Sequence, residues 1–283
     1  MSARLTVPKT YKLAIGGAFP RSESGRTYGV TTPKGAFLAN AAQASRKDAR
    51  DAVKAARTAQ AGWAKATAYN RGQVLYRVAE VLEGRKAQFV DEIVAQQGVS
   101  AASAGAQVEE AIDLWVWYAG WCDKYAQVAG NLNPVAGAYF NISAPEPTGV
   151  VAIIAPQENA LLGLVSVIAP ALVAGNAVVV VASEQYPLSA ISLAEVLATS
   201  DLPGGVVNVL TGSPAELAPW LASHADVNAL DLAGAGGIDW VDLQMAAADT
   251  LKRVLAPGEV VASPQRIAAF TEVKTVWHPK SMV

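Results

Sequence analysis

Nucleophilic chemistry needs a thiol or hydroxyl with a base beside it. The chain offers one cysteine, Cys122, and two histidines, His224 and His278. Cys122 shares a helical stripe with Trp115 and Ala119, an apolar setting in which a thiol stays protonated and inert; it reads as structural. His224 has no acid–cysteine pairing near it in sequence and is expected at a surface or a helix end. One cysteine excludes an intramolecular disulfide or a thiolate cluster, and two histidines are too few for most metal sites. Glu158 could act as a general base, but a carboxylate just ahead of the apolar run at Leu161 is also what a helix start favours, and it reads as the latter. Gly234, Gly236 and Gly237 could present backbone N–H groups to an anion. Trp115, Trp117 and Trp121 fit core or interface packing better than a base-stacking platform.

These residues sit in 283 residues with 52% apolar and 16% charged side chains, an ordered, core-rich composition. That length suggests one or two domains. The formal net charge is −2 and no basic block occurs, so no nucleic-acid partner is expected. The start, MSARLTVPKTYKLAIGG, lacks the apolar run of a secretion signal, and a cytoplasmic location is expected. The uncharged stretch 161–182 is long enough to span a bilayer. Pro170 and Gly175-Asn176 interrupt it and a β-branched run closes it, so a buried helix, a turn and a buried strand are expected instead of a membrane segment.

Residues 1–44 read as irregular with short strands. Ser45 and Asp48 form a capping-box start for a first helix; Asn70 is expected to cap a second, with Val74, Leu75, Val78, Val81 and Leu82 inward. A third helix covers 85–97. A fourth places Val108, Ile112, Trp115, Val116 and Ala119 on one face. A strand near 137–143, between Pro134 and Pro145/Pro147, reads as an edge or an arm outside the main sheet. From Val150 onward strands (150–155, 177–182, 206–210, 229–232) alternate with helices (161–173, 188–199, 215–223), which predicts a parallel sheet binding ligands beyond its strands' C-terminal ends. A helix is expected over 239–253, with Val241, Met245, Ala248 and Leu251 or Lys252 on its stripe. Residues 270–277 alternate with period two and read as a final strand.

Several short motifs, in order, carry a family likeness: Tyr118-Ala119-Gly120-Trp121, Pro147-Thr148-Gly149-Val150-Val151, Pro170-Ala171-Leu172, Gly175-Asn176, Ser183-Glu184-Gln185 with Pro187, Pro203-Gly204-Gly205-Val206-Val207-Asn208, Thr211-Gly212 and His224-Ala225-Asp226-Val227. Together they resemble the aldehyde dehydrogenase superfamily. The resemblance implies an α/β fold: a doubly wound, Rossmann-like parallel sheet with an N-terminal helical layer and a β oligomerisation arm. Residues 1–130 and 148–255 would form a degenerate NAD-binding-like domain, and 131–147 with 266–283 the arm. Tyr139, Phe140, Phe270, Val273, Val276 and Trp277 would lie at an interface. Cofactor contacts carried over from the family fall on Glu184, Gly212 and Gly234.

Elsewhere the carry-over fails. The family's Pro-Trp-Asn-Phe-Pro reads Pro156-Gln157-Glu158-Asn159-Ala160 here. Glu158 replaces an amide that donates to the oxyanion, and an ionised carboxylate cannot donate. Val181 stands where a lysine would hold the ribose, a charged hydrogen bond worth roughly 1.5–3 kcal/mol, about 10- to 150-fold in affinity. Pro214 falls in the family's Gly-x-Gly turn. Leu232-Ala233-Gly234-Ala235 replaces Phe-Thr-Gly-Ser, so Ala235 removes a hydroxyl, while Asp239 adds negative charge near the phosphate position. Only residues 238–269 separate this point from the final strand, too few for the catalytic domain that supplies the family's glutamate and cysteine. The expectation is a catalytically inactive subunit with no catalytic residues, no metal and no, or weak, NAD. It resembles the truncated, cysteine-free second module of two-module family members. An unpaired final strand would seek another chain's edge, implying a full-length aldehyde dehydrogenase as partner in a hetero-oligomer; pairing with 138–143 and with its own copy in a homodimer is the alternative. A nicotinamide-nucleotide sensor, or a dehydrogenase completed by a partner's residues, are the other functional readings.

Overall fold

The structure, a computed structural model, describes residues 7–280. Parts of the expected units that fall on 1–6 and 281–283 lie outside the described residues. The chain runs through a hairpin of β1 (Thr27–Thr31) and β2 (Phe37–Ala42), then α1 (Arg46–Lys65), α2 (Ala68–Gly84), α3 (Lys86–Gln97), α4 (Ala101–Trp121) and α5 (Tyr125–Ala129). Then come β3 (Asn131–Asn133), β4 (Tyr139–Pro147), β5 (Val150–Ile154), α6 (Leu162–Val173), β6 (Ala177–Val181), α7 (Leu188–Ala198), β7 (Val207–Leu210) and α8 (Pro214–Ser223). Finally β8 (Ala229–Asp231), α9 (Trp240–Ala248), β9 (Arg253–Leu255), α10 (Pro264–Ala268) and β10 (Thr271–Pro279).

The main sheet is parallel throughout, in the order β7-β6-β5-β8-β9. Both faces of β5 and β6 are buried, which explains why their sequences are unbroken apolar runs rather than alternating ones. Strand residues of opposite parity feed two cores. Val150, Ala152, Ile154, Val179 and Val181 pack with α1, α8 and α9; Val151, Ile153, Val178 and Val180 pack with α6, α7 and the α2–α4 layer. Helices therefore cover both faces, and the doubly wound α/β expectation holds. Because β5 lies between β6 and β8, the chain winds outward in opposite directions from it, opening a crevice at the strands' C-terminal ends.

A separate antiparallel sheet has the order β10-β4-β3. Contrary to the expectation of an unpaired final strand, all nine residues of β10 pair with β4 of the same chain, from Thr271↔Pro147 to Pro279↔Tyr139, as the alternative pairing with 138–143 anticipates. Pro145 and Pro147 lie beyond the part of β4 that β3 covers, on a stretch with one neighbour, where a missing N–H costs no ladder bond. The arm is tied to the main sheet by Asn176, whose side chain donates to the carbonyls of Ala171 and Phe270 and accepts from Gly149 N–H.

Several local expectations need correction. Thr67, not Asn70, caps α2: its hydroxyl accepts the Asn70 N–H at 3.1 Å. Val116 is exposed, off the buried stripe of α4. α6 runs through Pro170 to Val173, in keeping with the helix expected over 161–173. The helix at 239–253 ends at Ala248; Leu251 takes a left-handed φ of 55° and Arg253–Leu255 becomes β9, paired with β8. The buried face of α9 is Leu243 and Ala247, while Val241, Met245 and Leu251 face solvent. No helix among the described residues is long and apolar enough to cross a membrane; residues 161–182 form α6, a turn at Gly175 and β6.

Candidate functional site

Loops leaving β5, β6, β7 and β8 line the crevice, and they bring Glu184, Gly212 and Gly234 to one end of the sheet. The β5 loop is organised by Gln157. Its amide nitrogen donates to the carbonyl of Ala155 at 2.6 Å, and its amide oxygen accepts the N–H of Glu184 at 2.9 Å. Ser183 Oγ donates to the Gln157 carbonyl at 2.7 Å. One side chain thus ties the β5 loop to the β6 loop across the strand ends. The Glu158 side chain points to solvent and only its carbonyl is used, accepting from Gln97. The start of α6 is held instead by Asn159, whose Oδ1 accepts the N–H groups of Leu161 and Gly163 at 3.1 Å, so Glu158 is not the helix-start group.

The first three backbone donors after Leu232 are engaged, whereas the N–H groups of Gly236 and Gly237 make no hydrogen bond among the described residues. Ala233 N–H donates to Asp231 Oδ1, Gly234 N–H to the Ile154 carbonyl and Ala235 N–H to the Leu232 carbonyl. Gly234 is required by packing: a Cβ there would stand 1.8 Å from the Ala155 carbonyl oxygen. Ala235 and Val181 are fully buried in the core on the α1, α8 and α9 side. Gly212 (φ 126°) turns tightly against Ala44. Pro214 opens α8, where its lost N–H is harmless. Asp239 caps α9 and Asp242 lies in its first turn, so carboxylates already complement that helix end. Glu184 is exposed on the rim. Burial first, and the Glu184 charge second, hold the Tyr28 phenol far above its ordinary range.

Neither candidate nucleophile nor base is poised. Cys122 is buried with Sγ 3.6 Å from the Tyr118 carbonyl, and burial pushes its thiol up to about 12, with Arg71 opposing only in part. His224 lies at the end of α8 and its Nδ1 accepts the Asp226 N–H at 3.1 Å. Burial lowers its pKa, with Asp226 opposing and Lys252 assisting, which favours the neutral imidazole.

The arm is the second candidate surface. Register divides its exposed side chains between two faces. Tyr139, Val273 and Trp277 share one, with the Tyr139 and Trp277 rings edge-to-face at 5.8 Å. Phe140, Ile142, Val276 and Leu132 share the other, all exposed. Phe270, expected at the interface, is instead fully buried in the main core, because the strand begins one residue later.

The sequence profile of the Aldehyde dehydrogenase family matches residues 19–257. The chain belongs to this family. Aldehyde dehydrogenase family 2 member B4, mitochondrial, of Arabidopsis thaliana is 35% identical over 247 residues, 86% of this chain and 45% of that protein. Putative aldehyde dehydrogenase DhaS of Bacillus subtilis is 34% identical, with 87% and 50% covered. The NAD+ complex of an aldehyde dehydrogenase from Bacillus cereus superposes with a TM-score of 0.80 at 27% identity, over 87% of this chain and 50% of that one. The chain spans about half the length of the curated relatives it matches.

Within this aldehyde dehydrogenase framework two features escaped sequence reasoning. Gln157 stood in a recognised motif, but a bridging amide has no sequence signature. Asp231 is fully buried in β8 and ion-paired with Arg266 of α10. Burial raises its pKa and Arg266 opposes that shift. A lone aspartate in the apolar run Ala229-Leu230-Asp231-Leu232 was the available signal, since a buried charge demands a partner.

Proposed function

We propose that this chain is a catalytically silent aldehyde dehydrogenase-like subunit that acts in the assembly or regulation of a full-length family enzyme, docking through β10. The observation that carries this reading is the outer edge of β10. Nine residues long, it pairs with β4 on one side and with nothing among the described residues on the other. Beside it, Phe140, Ile142 and Val276 expose an apolar face. Such an edge templates further pairing, and another sheet satisfies it.

Silence is supported by the crevice. The residues there do not fit a dinucleotide: no ammonium replaces buried Val181, the N–H groups of Ala233, Gly234 and Ala235 are engaged, and Gln157 spans the strand ends. Only the short α9, β9 and α10 lie between β8 and the arm, and no cysteine follows Cys122. The reading includes a cytoplasmic location, checked by cell fractionation.

The experiment is coexpression with a complete family enzyme, followed by size-exclusion chromatography and native mass measurement at micromolar concentration. A shared peak is expected, and Ile142→Glu/Val276→Glu should lose it while keeping the wild-type circular dichroism. Separate elution overturns heteromeric docking, and a stable dimer of this chain alone would favour the homodimer instead.

A further inference from the structure

Away from the crevice and the arm, the segment before β1 folds across the β1–β2 hairpin and forms with it a partly open cavity of about 310 Å³. Four cations border it, Lys9, Lys12, Arg21 and Arg26, and no carboxylate does. Two of these charges are already matched: Lys9 by Glu195 at 2.8 Å and Arg26 by Glu216 at 2.6 Å. Lys12 and Arg21 have no carboxylate within 4 Å among the described residues. Other parts of the wall are apolar, including Phe37, which is largely exposed, and Ala39.

We propose that this cavity binds a small organic anion with an apolar body, its charged head between Lys12 and Arg21. Size and chemistry both restrict the ligand. The volume is at the low end for small-molecule sites, which admits a compact metabolite and not a dinucleotide. Two unmatched cations on the border attract an anion and repel a cation. The lysine stems and Phe37 give the ligand's hydrocarbon part a surface to leave water for. A fully hydrated ion such as inorganic phosphate gains nothing from that wall. This site lies on the hairpin and does not depend on the docking role of β10.

Calorimetric titration with octanoate tests it, with octanol and inorganic phosphate as the uncharged and bodiless comparisons. One octanoate per chain is expected, weakening as ionic strength rises, with octanol and phosphate each binding at least about tenfold more weakly. Lys12→Glu/Arg21→Glu should lose octanoate binding by about 10- to 150-fold for each charged bond removed. Should that variant unfold, Lys12→Gln/Arg21→Gln reports the same loss with less charge change. Asn40→Trp, which fills the cavity and keeps the charges, should also abolish binding. Lys47→Glu, outside the cavity, should leave it unchanged. Unaltered octanoate affinity in the folded charge variants, or octanol binding as tightly as octanoate, overturns the proposal.

Discussion

Two side chains show how residue-scale chemistry has been turned to structure in this chain. Cys122 is protonated at neutral pH because burial lifts its thiol to about 12, and a thiol rather than a thiolate does not attack. Folded protein at pH 8 should therefore resist Ellman's reagent, reacting only as it unfolds; rapid labelling of the native chain would refute the burial argument. His224 behaves similarly. Its folded pKa lies below the unfolded value of about 6.5. The unfolded chain then binds the proton more tightly, so the stability His224 contributes is present above about 6.5 and lost as pH falls through the folded value. Thermal melts of wild type and His224→Asn between pH 5 and 7.5 should show the shallower acid slope in the variant. Asp231 and Arg266 make the costliest pair to break. Asp231→Ala leaves a guanidinium that is largely buried without its partner, at about 3–5 kcal/mol, whereas Asp231→Leu/Arg266→Met should recover much of the loss in urea unfolding.

At the scale of elements, the start of α1 is a junction rather than a simple cap. Ser45 Oγ accepts the Asp48 N–H, and Asp48 accepts from the Ser45 N–H, the Ser22 hydroxyl and the Glu23 N–H. Ser45→Ala removes a cap and should cost about 1 kcal/mol. Asp48→Ala also strands buried donors from the preceding loop and should cost roughly 2–4 kcal/mol, as read from denaturant midpoints; equal costs would mean the loop is not anchored there. This junction was half legible in the sequence: the Ser-x-x-Asp spacing announced the cap, but nothing local announced Ser22 and Glu23. The same limit recurs along the chain. β5 and β6 were readable because burial on both faces forces unbroken apolar runs. β9 was not, because three residues become a strand only by pairing with β8. The expected stripe on α9 failed for a related reason: Val241, Met245 and Leu251 have the right spacing, yet the turn at Leu251 and the packing of Leu243 and Ala247 decide which face is buried. At the crevice, the replaced family residues were visible as types, whereas the Gln157 bridge depends on two loops meeting in space.

At the scale of the whole molecule, the question is whether a chain of this family that keeps the doubly wound sheet still couples to a dinucleotide. Binding to the folded state alone stabilises it by RT ln(1 + [L]/Kd). A site with a Kd of about 100 µM, exposed to about 1 mM ligand, would therefore add about 1.4 kcal/mol, an upward shift of several degrees for a domain of this size. The crevice argues for much less. Gln157 already bridges the β5 and β6 loops through the Ala155 carbonyl and the Glu184 N–H, and three N–H groups of the β8 loop, those of Ala233, Gly234 and Ala235, are engaged within the chain. Giving up the two Gln157 bonds, one exposed and one part-buried, would cost about 0.5–1.5 kcal/mol each, which would offset much of the affinity just considered. Oxidised and reduced nicotinamide nucleotides at about 1 mM should accordingly leave the melting temperature within experimental scatter, and Gln157→Ala, which removes the bridge but restores no ammonium at Val181, should not rescue binding. A shift of several degrees in the wild-type protein would mean that the loops open at little cost, and the sensor reading would then displace the silent subunit.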